Sequence, residues 1–345
     1  MSAPRAPSRR YSSGPTEMRR ADAVVYRHPA TGHPLTLAEE RADGDEILAG
    51  SLAGDTDRFP IIEAVPRFCP PENYASSFGY QWSLFPTSQL DSRAAWKGES
   101  ARRLFAETGW PRCMEGQKIL EAGSGMGRFT EVLAQTEAEV FTFDYSLSIL
   151  TNVRNNARFS NVHFAQADIY APPYAAGSFD KVLCLGVLQH TPSPRDAFLS
   201  LTRFLKPGGE IVVDVYRLSW RSLLAPKYYL RPLTRRLPPE ILLRCVRLQV
   251  AWVMPFTGRL RRWLGPRARS LSWALGVVDY RGIFEMDDVT ARELAELDTF
   301  DMLAPAYDRP HTLRAVRSWF AEAGLVEVAV EPGYNGIQGR GRRPG

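Results

Sequence analysis

Two patterns of apolar residues alternate along this chain. Short, nearly unbroken runs occur at residues 119–122 (ILEA), 140–144 (VFTFD), 162–166 (VHFAQ) and 211–216 (IVVDVY). Another begins at Phe179 and passes into a polar loop that ends at Pro194. Such non-alternating runs predict parallel strands covered on both faces. Between them the spacing turns helical, as at Phe129, Val132 and Leu133. Residues 205–210 (LKPGGE) predict a helix stop and a turn before the fifth strand.

The first strand leads into the most informative stretch, residues 119–130 (ILEAGSGMGRFT). It predicts a buried strand, a tight turn and a helix that starts at the turn. Gly123, Gly125 and Gly127 alternate there, and glycine tolerates positive φ and lets backbone approach a ligand. The helix start adds unpaired N–H groups. The dinucleotide spacing G-x-G-x-x-G fails, because the sixth position is Arg128 counted from Gly123 and Thr130 counted from Gly125. Asp144 ends the second strand about twenty residues on, where a carboxylate can accept ribose hydroxyls.

The form E-x-G-x-G-x-G resembles the first motif of class I S-adenosylmethionine (SAM) methyltransferases. The order and spacing of the strands match that family across residues 116–216. The resemblance implies a Rossmann-like, doubly wound α/β sheet of seven strands. Residues 326–331 and 335–341 would supply its last two strands as an antiparallel hairpin. It also implies SAM as cofactor, held by Glu121, Gly123, Gly125, Gly127, Asp144, Tyr145, Asp168, Ile169 and Gly186, with Asp168 at the adenine amino group.

Residues 59–68, 74–92, 297–312 and 316–330 extend the resemblance to a bacterial subgroup with a zinc-ribbon-like N-terminal segment. That subgroup often accompanies glycan biosynthesis. Related chains carry C-P-x-C-x-x-P-L in this segment, but His28 and Thr31 stand at the cysteine places here. Four well-spaced ligands are lacking, so the expectation is a metal-free β subdomain.

Composition changes this picture little: 44% hydrophobic and 23% charged residues suit a soluble globular chain. Cys69, Cys113, Cys184 and Cys245 are scattered without a C-x-x-C pair, and nothing suggests an oxidising compartment. The basic start lacks the apolar core of a secretory signal, and no run of eighteen apolar residues exists. The expected location is the cytoplasm, with peripheral contact at the inner face of an anionic membrane left open.

Charge distribution adds more. Residues 217–276 contain thirteen Lys or Arg against one acid, Glu240, with Trp220, Trp252, Trp263 and Trp273 among them. Pro226, Pro232, Pro238, Pro239, Pro255 and Pro266 should break this insertion into short helices. Two readings stay open for it: a soluble lid with inward tryptophans, or a face for anionic lipid.

The expected organisation is a flexible tail (1–20), the ribbon-like subdomain (21–70), a lid or entry segment with Gln81 and Trp82 (71–115), the SAM-binding core (116–216), a helical basic insertion (217–296) and a C-terminal part of the fold (297–345).

Two histidines are catalytic candidates. His190 follows the fourth strand, on the ligand side of such sheets, and histidine is the usual base near neutral pH. His311 lies in YDRPHT, which the resemblance returns toward the acceptor.

The expected activity is methyl transfer from SAM to a sugar, a lipid-linked glycan or a natural product. The alternative is a quinone or small aromatic acceptor, and further readings are nucleic-acid methylation or a non-catalytic SAM-binding scaffold. No Asn-Pro-Pro-Tyr-type motif follows the fourth strand and no nucleic-acid module is recognisable, so nucleic acid is not an expected partner.

Overall fold

The computed structural model describes residues 18–93, 97–219, 225–264, 267–281 and 286–345. Most of the expected tail, together with Trp220 and Pro266, lies outside the described residues.

The runs of unbroken apolar residues form the central sheet. Strands β6 (Lys118–Ala122), β7 (Glu139–Asp144), β8 (Val162–Gln166), β9 (Phe179–Cys184) and β10 (Leu205–Val215) are parallel, and β11 (Val326–Gly333) and β12 (Gly336–Arg342) close one edge antiparallel. The order is β11-β12-β10-β9-β6-β7-β8. This is the Rossmann-like, doubly wound seven-stranded sheet of class I methyltransferases. Alternate residues serve opposite faces. Ile119, Val140 and Leu183 join one core with α2 (Glu99–Thr108), α3 (Arg128–Ala134) and α4 (Ser148–Asn156). Leu120, Phe141 and Val182 join the other with α5 (Pro194–Thr202) and α10 (Leu313–Glu322).

The N-terminal residues form an antiparallel sheet of β1 (Met18–Arg19), β2 (Thr36–Asp43), β3 (Glu46–Ala53), β4 (Arg58–Ile62) and β5 (Val65–Pro66). Its apolar side, with Ile47, Leu52 and Ile61, merges with the second core, and the Tyr26 hydroxyl donates to the Phe164 carbonyl at 2.8 Å. His28, at a cysteine place of the ribbon pattern, bonds Asp57 at 2.9 Å.

Three expectations need correction. The LKPGGE stretch is not a turn outside the sheet. Leu205 already pairs with Phe179, and an irregularity before Glu210, with Gly208 at φ +75°, absorbs the extra residues within β10. The insertion is not all short helices. It holds α6 (Pro226–Thr234), α7 (Pro239–Leu264), α8 (Arg267–Ala274) and α9 (Asp288–Leu303), and α7 runs 26 residues through Pro255. Pro255 is on the exposed side, where the carbonyl it frees can meet water. Nor does the insertion end at 296, because α9 continues unbroken past it to Leu303, held by buried Leu294, Leu297 and Phe300.

Candidate cofactor and acceptor site

A cavity of about 830 Å³ opens at the carboxyl ends of β6, β7, β9 and β10. One end is made by backbone turns. Gly123 (φ +75°) and Gly125 (φ +56°) wind the chain from β6 into α3, and a Cβ on Gly123 would stand 2.4 Å from Val187 Cγ2. Over Gly125 lies Trp82 of α1 (Ser76–Leu84); a Cβ there would reach its Nε1 at 3.1 Å. Asp144 Oδ2 accepts the Gly125 N–H and Oδ1 accepts the Ser146 N–H, both at 2.8 Å, so the carboxylate also fixes the turn. Tyr145, Ile169 and Gly186 line the same end. Asp214 accepts the Gly186 N–H and pairs with buried Arg103.

Arg128 sits on this wall, half-buried, and donates to Gln89 Oε1 at 3.0 Å and Ser100 Oγ at 3.2 Å. Burial, then the neighbouring Arg103 charge, pushes its pKa down to about 10. Among the described residues no carboxylate makes a salt bridge to it, in contrast to Arg103, which pairs with Glu107 and Asp214. A half-buried guanidinium at a cavity wall, held by neutral groups, suits an incoming carboxylate. The glycine turns, Asp144 and Arg128 thus fit the amino acid and ribose parts of SAM.

Three expected residues, Glu121, Gly127 and His311, lie elsewhere. Glu121 is buried beneath the turn, where its Oε2 accepts the hydroxyls of Thr130 and Thr142; burial pushes its pKa up to about 7. Gly127 serves helix packing, since a Cβ there would overlap Asn152 Oδ1 of α4 at 2.0 Å. Asp168 stands between the wall residues Ala167 and Ile169, its charge acts on the cavity-lining Tyr74 and Tyr145, and its Oδ1 accepts the Tyr170 N–H at 3.0 Å. His311 is turned away. Its backbone bridges to the chain after β10, with its N–H donating to the Tyr216 carbonyl, and its ring meets Trp319 edge-on at 4.7 Å.

The other end is built from distant segments. His190 closes a 3-10 turn (Leu188–His190) after β9 and packs edge-on against Phe78 and Tyr216, at 5.1 and 5.5 Å. Its Nδ1 lies 3.0 Å from the Tyr307 carbonyl. A carbonyl only accepts, so Nδ1 carries the proton and Nε2 is left with a lone pair. Burial lowers the His190 pKa, which keeps the ring neutral.

Asp298 and Asp301 of α9 also face the cavity. Burial pushes Asp298 up to about 7, and the Tyr280 hydroxyl donates to it. Burial raises Asp301 as well, while the facing His190 and Gln81 pull it back. Lys227 and Arg231 pair with Asp308, each at 2.6 Å, and Lys227 also stands 4.7 Å over the Tyr216 ring.

Sequence reasoning missed these groups, although two acids three apart in the apolar helical run LAELDTFDML were a usable signal. Carboxylates inside such a run need partners: Glu296 pairs with Arg247 and Arg292, whereas Asp298 and Asp301 face the cavity.

Residues 120–213 match the model of a methyltransferase domain. A ubiquinone biosynthesis O-methyltransferase of Methylococcus capsulatus is 31% identical over 129 residues, which are 35% of this chain and 54% of that protein. One from Alkalilimnicola ehrlichii is 33% identical over 114 residues, 32% and 46% of the two chains. The chain thus spans about half the length of the curated relatives it matches. Among solved structures, the N-methyltransferase NodS from Bradyrhizobium japonicum, in complex with S-adenosylhomocysteine, aligns with a TM-score of 0.44 at 16% identity, over 79% of this chain and 100% of that one. The family match over residues 120–213, on the seven-stranded sheet, makes this part of the chain a class I methyltransferase domain, and its cofactor is SAM.

Proposed function

We propose that the protein is an O-methyltransferase that methylates a hydroxyl of a small aromatic acceptor of the quinone type. The observation that carries this reading is the acceptor end of the cavity. A neutral buried histidine lies there among Phe78, Tyr216, Tyr228 and Tyr280. The names of the O-methyltransferase relatives favour the same class over the sugar or lipid-linked glycan expected from the sequence.

Bound SAM supplies a methyl group already activated on a sulfonium, so the protein has to place the acceptor and manage one proton. Arg128 would hold the carboxylate of the cofactor, and Asp144 its ribose. The aromatic rings would position the acceptor ring, since orientation alone lowers such barriers by roughly 7–11 kcal/mol in ideal cases. His190 Nε2 takes the hydroxyl proton, and Asp301 offers the counter-charge for the imidazolium. Proton removal of this kind contributes about 10²–10⁴-fold.

The test is transfer of labelled methyl from SAM by the full-length protein to a catechol, with an amine and a sugar offered in parallel. Transfer to the phenolic oxygen supports the proposal. Transfer to the amine or the sugar alone overturns it.

A further inference from the structure

Helix α7 has two apolar sides. Leu242, Leu243, Val246, Val250 and Met254 are buried and pack with Ala291, Ala295 and Phe300 of α9. On the opposite side Ile241, Leu248, Trp252, Phe256 and Trp263 recur at four- and seven-residue steps, which at 3.6 residues per turn form one stripe. All five are exposed, Trp252 by 78% and Trp263 by 87%. Single exposed apolar residues are ordinary, but an aligned set along a helix about 39 Å long marks an interaction surface.

The charge around the stripe selects the partner. Arg244 and Arg259 are exposed on the same helix. The preceding α6 and the turn after it carry exposed Tyr229, Leu233, Arg235 and Arg236. Glu240 is the sole acid in residues 217–276. A symmetric dimer through this face would set arginines against arginines. An anionic lipid surface takes both features, since tryptophan seats at the headgroup level and arginine pairs with lipid phosphate. Among the described residues no helix is long and apolar enough to cross a membrane, so α7 would lie in the plane. Trp273 of α8, a helix that packs against α7, is exposed and also lines the cavity.

We propose that α7 is an interfacial helix that docks the protein on an anionic lipid leaflet, bringing the Trp273 edge of the cavity to the lipid. This goes beyond the acceptor reading and does not depend on it, because its test needs no turnover.

The experiment is flotation of the full-length protein with vesicles of phosphatidylcholine, with and without phosphatidylglycerol, at low and high salt. The expected result is flotation with the anionic vesicles only, fading as salt shortens the screening length from about 10 Å to about 3 Å. Arg244→Glu and Arg259→Glu should each lower partitioning about fivefold or more. Trp252→Glu with Phe256→Glu should abolish it. These side chains are exposed, so thermal midpoints should stay at the wild-type value. Two results overturn the proposal: wild-type protein that stays wholly unbound at low salt, or a stable dimer that the Trp252→Glu, Phe256→Glu pair dissociates.

Discussion

The two ends of the cavity are built in opposite ways. At the cofactor end, the glycine turn, Asp144, Tyr145, Ile169 and Gly186 come from one continuous stretch of residues 123–186, and much of the surface is backbone. At the acceptor end, α1, the turn after β9, α6 and α9 each contribute side chains from separate parts of the chain. The cofactor end is therefore a product of local geometry, and the acceptor end a product of packing. A cofactor shared by many enzymes needs one backbone shape, whereas an acceptor is chosen by side chains on elements that vary around it.

The sharpest way to separate the two ends is to remove a group from each. His190→Ala should lower turnover about 10²–10⁴-fold while SAM affinity, read by calorimetry, stays at the wild-type value. Equal losses in both would move His190 to the cofactor end. The pH profile carries a sign. Burial lowers the His190 pKa below its ordinary 6.5, and only the neutral ring accepts a proton. Turnover should thus hold at neutral pH and fall on an acid limb below 6.5. Asp301→Asn removes the counter-charge and should push that limb lower still.

Arg128→Met is the complementary change. A charged hydrogen bond is worth roughly 1.5–3 kcal/mol, so SAM affinity should fall about 10- to 150-fold. Methylthioadenosine lacks the carboxylate, and its affinity should hardly change. Equal weakening of both ligands would assign Arg128 a purely structural role.

The smallest effect sharpens the boundary of the cofactor end. Glu121 is protonated in the folded state up to about pH 7, against 4.5 for a free side chain. Between those values the folded state holds a proton that the unfolded state has lost, so stability declines as pH rises through the window and levels off above it. A shift of this size corresponds to about 3 kcal/mol. Glu121→Gln should remove the decline in urea midpoints measured across this range and leave SAM affinity intact. A loss of SAM affinity matching that of Arg128→Met would return Glu121 to the ligand contacts.

Gln81 and Trp82 line the cavity, and nothing in the sequence around them shows that the Trp82 indole rests on Gly125. That contact depends on where α1 packs against α4, which no local pattern encodes. The same limit explains His311. Its place in YDRPHT pointed to the acceptor, yet the bridge between Arg217 and His311 turns its ring to Trp319.

By itself the sequence determined the positions of the core strands, the glycine turn and the acid of β7, because unbroken apolar runs and positive-φ glycines are local and steric in origin. It also showed that the insertion is cationic and rich in tryptophan. Only the tertiary structure decided which carboxylates face the cavity and that Gly127 and Glu121 serve packing. It alone revealed the tryptophan stripe of α7 on the outer side. Such facts depend on which face of a helix meets another element, and a helix apolar on two sides does not disclose which side is covered until the chain has packed.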